Sequence, residues 1–286
     1  MAEEELRKQV RKGYAKIAVK GGSCCGGEVD RASREMGYSE GELEAAPEGS
    51  NMGLGCGNPV ALASLKKGET VIDLGSGGGF DCFLASRKVG ENGRVIGVDM
   101  TPEMIDKARE NARRGKYTNA EFRLGEIEHL PVADNTADAI ISNCVVNLAP
   151  DKKKVFEEAL RVLKPGGRLM VSDLVLLKEL PEAVKAGMGS TSCVTGAMMK
   201  DKYIETIKAA GFGEVQVVKE EQYGSGDVAD DPDAEVMVFN PKTNAAETRK
   251  VADLDEKARH RLERILEAVV SIHLSATKPE RPAGKT

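Results

Sequence analysis

Val71-Ile72-Asp73-Leu74-Gly75-Ser76-Gly77-Gly78-Gly79-Phe80 is an apolar run ending in an acid, then a string of glycines, then the start of a second apolar run. The first part reads as a buried strand, the glycines as a tight turn, and Phe80 to Val89 as the helix leaving it. This is how an open α/β sheet begins. A dinucleotide fingerprint, G-x-G-x-x-G, needs glycine at its sixth position, where this chain has Phe80. The pattern present is Asp-x-Gly-x-Gly-x-Gly. An acid at that strand end repels a pyrophosphate and welcomes a ligand carrying ammonium or sulfonium charge. Val98-Asp99 ends the next apolar run, Asp99 standing 26 residues beyond Asp73. There a carboxylate can accept both hydroxyls of a ribose, so a nucleotide-like cofactor is expected.

Strand and helix signals alternate beyond this point. Strands are expected at Thr70 to Asp73, Arg94 to Val98, Ala120 to Leu124, Ala137 to Ser142 and Arg168 to Ser172, with Glu214 to Val218 and Glu235 to Phe239 as closing strands. Thr101-Pro102 offers a helix start, Val155, Phe156, Ala159, Leu160 and Leu163 mark a helix face ended by Pro165-Gly166-Gly167, and a further helix is expected near Asp201 to Ala210. Leu262, Ile265, Leu266, Val269 and Val270 read as the stripe of a C-terminal helix that packs, and residues from Thr277 onward read as disordered. A charged helix is expected over Glu3 to Lys20. The expectation is a doubly wound, mostly parallel seven-stranded sheet with N- and C-terminal extensions. It divides into an N-terminal extension with thiol loops (1–60), a Rossmann-like cofactor domain (61–178), a substrate region with closing strands (179–250) and a C-terminal helix and tail (251–286). The motif and its spacing resemble the class I S-adenosylmethionine-dependent methyltransferases. That resemblance implies S-adenosylmethionine as cofactor, held by Asp73, Gly75, Ser76, Gly77, Asp99, Met100 and Asn143. It also places Gly125-Glu126-Ile127-Glu128 at the adenine, through Glu126 or Ile127; residue by residue, this segment reads equally as a solvated turn.

The chain has 286 residues, 41% hydrophobic and 30% charged, enough for one large domain with appendages or two small ones. Its net charge is −5, it has no Trp, and no basic stretch is interleaved with aromatics, so nucleic acid is not an expected partner. Met1 to Lys20 is too charged for a secretory apolar segment, and no apolar run approaches a membrane span. The expected location is cytoplasmic, where the six cysteines would be reduced thiols unless they are ligands or redox-active.

Cys82, within Phe80-Asp81-Cys82-Phe83-Leu84, has the surroundings of a helix core. Cys56 lies between two glycines, where packing does not explain it. Cys144, in Ser142-Asn143-Cys144, follows the fourth strand beside the transferable group. Cys193 sits in a small-residue loop and reads equally as an inert thiol. Cys24 and Cys25 are adjacent, which suits neither tetrahedral zinc nor an easy disulfide. His129, His260 and His273 fall in a turn, a surface-like helix and the C-terminal helix, and none reads as a general base. Thiols around a methyl donor point to a soft acceptor.

The segments Gly55-Cys56-Gly57-Asn58-Pro59, Asp73 to Phe80, Gly125-Glu126-Ile127-Glu128, Ser142-Asn143-Cys144-Val145-Val146-Asn147-Leu148 and Cys193-Val194-Thr195-Gly196-Ala197 closely resemble the arsenite methyltransferase family over roughly Gly49 to Gly224. The resemblance implies arsenic binding by Cys56, Cys144 and Cys193, and methyl transfer from S-adenosylmethionine to arsenite or its thiol conjugates. It also implies a redox relay through Cys24 or Cys25, with a reductant such as thioredoxin or glutathione. Two other readings share the motifs: methylation of a small carbon, nitrogen or oxygen nucleophile, and a non-catalytic thiol-based metalloid binder.

Overall fold

The structure, a computed structural model, describes residues 3–20, 29–180, 193–222, 235–240 and 245–280. Nine strands are present among them: β1 (Thr70–Leu74), β2 (Arg94–Asp99), β3 (Ala120–Leu124), β4 (Ala137–Asn143), β5 (Leu163–Leu176), β6 (Gly213–Gln222), β7 (Glu235–Asn240), β8 (Ala245–Lys250) and β9 (Val269–Thr277). The helices are α1 (Glu3–Lys20), α2 (Val29–Glu35), α3 (Glu40–Ala45), α4 (Pro59–Leu62), α5 (Phe80–Val89), α6 (Pro102–Gly115), α7 (Lys152–Val162), α8 (Lys200–Ala209) and α9 (Glu256–Ala268). Seven strands form one sheet in the order β3-β2-β1-β4-β5-β9-β6. Strands β1 to β5 pair in parallel, and β9 runs antiparallel to both of its neighbours. The expected doubly wound α/β class is therefore the fold found. The order reverses at β1 and β4, and ligands in such sheets gather outside the carboxyl ends of the strands at that crevice.

The seventh strand of the sheet is not the expected one. Glu235 to Phe239 pairs with β8 in a separate two-stranded sheet, and Val269–Thr277 takes its place between β5 and β6. Its sequence, Val-Val-Ser-Ile-His-Leu-Ser-Ala-Thr, is buried almost throughout, as a strand covered on both faces must be. Val269 and Val270 continue the helical spacing of Leu262, Ile265 and Leu266, which hides the change of element; α9 ends at Ala268. His273 is accordingly a buried strand residue, not a helical one. The order also continues past Thr277, because Lys278 donates from its backbone to the Gly167 carbonyl (2.8 Å) and from Nζ to the Leu163 carbonyl (2.6 Å). β5 begins at Leu163, before Pro165-Gly166-Gly167, because Leu163 already pairs with Ala137.

Local chemistry explains the elements around the crevice. α6 buries Met104, Ile105, Ala108, Asn111 and Ala112, one face at helical spacing. The Thr101 hydroxyl makes no cap; instead Asp99 Oδ1 accepts the Thr101 N–H at 2.8 Å. α1 crosses above this region, with Ala18, Tyr14 and Ile17 against Met52, Leu54 and Met104. No helix among the described residues is long and apolar enough to cross a membrane.

Candidate functional site

The glycine turn after β1 is held by backbone bonds, Gly75 and Ser76 N–H to the Val98 carbonyl at 2.8 and 3.0 Å, and by the Asn111 amide on the Gly78 carbonyl at 2.9 Å. Gly75 has φ +69, and a Cβ there would meet the Val145 side chain at 2.3 Å, so only glycine fits. Asp99 Oδ2 accepts the Gly77 N–H at 3.0 Å. Asp73 lies buried below the turn, accepting the Cys82 thiol at 3.1 Å. Asp81, one residue into α5, accepts the Tyr38 hydroxyl at 2.6 Å. Burial raises the pKa of Asp73, Asp81 and Asp99, and the Asp81 charge raises that of Asp73 further. Three acids gathered at one turn favour a cationic ligand, which would let them ionise together.

Cys82 is fully buried, as expected of a core thiol, yet it also touches Asp73. Cys82→Ser retains a donor in that place. It should lower stability by about 1 kcal/mol and leave turnover within a few-fold. A tenfold loss of turnover at an unchanged melting temperature would give Cys82 a direct role.

The chain brings three of its thiols together at the crevice. The Cys56 and Cys144 sulfurs and a carboxylate oxygen of Asp173 all lie within 4.8 Å of one another. Cys144 is hydrogen-bonded through its thiol to Cys56 and to Cys193, and the Cys193 thiol also donates to the Cys144 carbonyl at 3.1 Å. Leu174, Leu176, Leu180, Val194 and Val269 wall this cluster with apolar surface. Cys144 turns off β4 with φ +56 while its N–H bonds the Ser172 carbonyl at 2.8 Å. A left-handed residue that is not glycine is uncommon and is held only where its surroundings impose it. Burial pushes the Cys56 thiol up to about 11. The Cys193 hydrogen bond pulls the Cys144 thiol down, but the Cys56 hydrogen bond and burial outweigh it and hold it well above the ordinary range.

Asn143 links the two halves of the crevice. Its Oδ1 accepts the Cys56 N–H at 2.9 Å, and its Nδ2 donates to the Gly57 carbonyl at 2.7 Å, to the Tyr38 hydroxyl at 3.0 Å and to Asp81 at 3.2 Å. The amide is thus engaged by the Cys56 loop and α5, so Asn143 acts here as a latch. Ser271 of β9 donates to the Cys56 carbonyl at 2.6 Å, and Cys56 donates its thiol to the Ser172 carbonyl at 3.4 Å. Gly57 lets this loop lie on β9, since a Cβ there would meet the His273 ring at 2.1 Å.

Elsewhere, Met100 follows Asp99 half-buried, Ile127 is nearly buried in the core, and Glu126 and Glu128 face Arg7 of α1 at 3.6 and 3.1 Å. Cys24 and Cys25 lie outside the described residues. Sequence reasoning missed Asp173, which is wholly buried and accepts from Asn147 Nδ2, the Leu174 N–H and the Tyr203 hydroxyl at 2.8, 2.9 and 3.0 Å. The available signal was a carboxylate inside the apolar run Val171 to Leu176. Tyr38 and Asp81 were missed because nothing local marks a pairing across 43 residues.

The methyltransferase-domain family profile matches residues 65–211. The chain is 48% identical over 235 residues to an arsenite methyltransferase of Halobacterium salinarum, covering 77% of this chain and 60% of that one. It is 33% identical over 237 residues to an arsenite methyltransferase of Aquipseudomonas alcaligenes, covering 78% of this chain and 67% of that protein. This chain belongs to the arsenite methyltransferase family. A solved structure of an arsenic(III) S-adenosylmethionine methyltransferase from Chlamydomonas reinhardtii has the same family fold, with 28% identity, a TM-score of 0.59, and coverage of 89% of this chain and 75% of that one. The chain spans about 60% of the length of the Halobacterium relative. Within this family fold, the thiol cluster and the glycine turn occupy the two sides of one crevice, joined by Asn143.

Proposed function

We propose that this protein methylates trivalent arsenic, with S-adenosylmethionine as the methyl donor and arsenite or its thiol conjugates as substrate. The observation carrying this reading is the convergence of Cys56, Cys144 and Cys193 in an apolar bowl beside the glycine turn. The residues at the turn fit the cofactor. Ser76 Oγ is buried with no hydrogen-bond partner, and a Cβ built on Gly77 would meet nothing within 4 Å, leaving room along the turn. Asp73 would face the ammonium group, and Asp99 the ribose hydroxyls. When bound, the cofactor supplies an electrophilic methyl group on a sulfonium.

The cysteines hold the acceptor. Each As–S bond that forms breaks one S–H and one As–O bond and releases one water, so thiols that burial keeps protonated can load without a separate base. Three sulfurs leave the arsenic lone pair at the apex of a pyramid. The lone pair is the nucleophile, no proton leaves at the transfer step, and catalysis rests on proximity and alignment. Methylation raises the formal oxidation state of arsenic by two, and two thiols closing to a disulfide return it to the trivalent state. Cys24 and Cys25 would relay those electrons from an external thiol such as thioredoxin or glutathione, consistent with a cytoplasmic location. The test is incubation with arsenite, reduced thiol and S-adenosylmethionine, read by arsenic speciation. Methylated arsenicals are expected, and arsenite recovered unchanged overturns the reading.

Asp99 carries a second test. Because it accepts the Gly77 and Thr101 N–H groups as well, Asp99→Ala removes both a ligand and a clamp on the turn. The loss of cofactor affinity should be about 2 to 3 kcal/mol, the scale of charge-assisted hydrogen bonds. Unchanged affinity in calorimetry would remove Asp99 from the site.

A further inference from the structure

Asp173 is not explained by arsenic. Trivalent arsenic takes three sulfurs and directs its lone pair into the remaining position, so a carboxylate at the same centre adds no bond to it. Yet Asp173, wholly buried, places an oxygen within 4.8 Å of both the Cys56 and the Cys144 sulfur. An ionised carboxylate has about four lone-pair sites. Asn147, Leu174 and Tyr203 donate to three of them, which fixes the carboxylate beside the two sulfurs.

We propose that Cys56, Cys144 and Asp173, with Cys193 as fourth donor, form a binding site for a thiophilic divalent cation of the zinc and cadmium class. Zinc is bound by cysteine sulfur at about 2.3 Å and by carboxylate oxygen at about 2.0 to 2.2 Å in a tetrahedron, which sets donor atoms about 3.5 to 3.8 Å apart. Cys56, Cys144 and Asp173 already lie within 4.8 Å of one another, so the metal draws these three together by small side-chain movements. Cys193, whose thiol donates to the Cys144 carbonyl at 3.1 Å, completes the set by turning its sulfur from that carbonyl toward the metal. The metal replaces one S–H proton for each thiolate formed, so binding strengthens as pH rises. The cation needs neither the glycine turn nor a methyl donor, and this site stands on its donor set whatever the protein methylates. Since cation and arsenical would take the same sulfurs, each would exclude the other.

Cobalt(II) is the probe, because tetrahedral sulfur ligation gives it intense visible bands and sulfur-to-metal charge transfer. It is added to the reduced full chain and, in parallel, to a chain carrying Cys24→Ser and Cys25→Ser. One equivalent should produce these bands in both, and Zn²⁺ should abolish them. Asp173→Asn keeps an acceptor for Asn147 and Leu174, and it should weaken Co²⁺ binding about tenfold or more while the thiol charge-transfer band persists at saturation. Cys144→Ser, shown by its melting curve to be folded, should abolish that band. Absence of tetrahedral bands in the native chain, their loss in the Cys24/Cys25 variant, their persistence in Cys144→Ser, or native Co²⁺ affinity in a folded Asp173→Asn each overturns the site.

Discussion

Cys144→Ser is expected to lose methylation of inorganic arsenite and of monomethyl trivalent arsenic alike, by about a hundredfold or more, which is about 2.7 kcal/mol or more in the barrier. Cys144 is the central thiol, hydrogen-bonded to Cys56 on one side and Cys193 on the other, so no pair of sulfurs in the cluster survives its loss with the same contacts. Serine preserves the size of the side chain, and the main-chain bond from residue 144 to the Ser172 carbonyl does not involve the thiol. Folding and cofactor affinity should therefore stay close to native. Arsenic speciation with each substrate, beside a melting curve and cofactor calorimetry, separates the effects. Full activity on both substrates would end the assignment of arsenic to this cluster.

Much of this site is written in short segments, and those were legible. The acid, glycines and second acid fall inside single strand-turn-helix units, where hydrophobic period and turn chemistry act over a few residues. The β1 and β2 ends and the glycine turn accordingly lie where their sequence put them. What was not legible depends on distant pairings. Val269 and Val270 share the spacing of the α9 stripe, and only the two-sided cover between β5 and β6 makes a strand of Val269–Thr277. His273 changed character with it, from a helical side chain to one buried against Ser172 at 2.8 Å and Glu221 at 3.2 Å. Asp173 had the same difficulty. Its acid lies one residue beyond the expected end of a strand, and its meaning comes from Asn147, Tyr203 and the thiols, all distant in the chain. Cys56, by contrast, stood out because two glycines beside a thiol leave it no packing role.

Counting bonds on arsenic gives the sharpest division among the cysteines. Inorganic arsenite can engage three thiolates, whereas monomethylated arsenic already carries one carbon and can engage only two. One cysteine should be dispensable for the second methylation, and Cys56 is the one expected. The Cys193 thiol bonds both the thiol and the carbonyl of Cys144, so those two form a contiguous pair. The Cys56 thiol has a partner outside the cluster, the Ser172 carbonyl at 3.4 Å. Its main chain is fixed independently by Asn143 and Ser271, so serine at position 56 leaves the loop in place. Cys56→Ser should lose about a hundredfold or more on inorganic arsenite and stay within about fivefold of native on the monomethyl trivalent substrate, a difference of about 1.8 kcal/mol or more between the two barriers. Cys193→Ser should lose both reactions. Turnover of each substrate by each variant, with arsenic speciation, decides the matter: equal losses on both substrates for all three serine variants would rule out the two-thiolate complex, because every sulfur would then be needed at both steps.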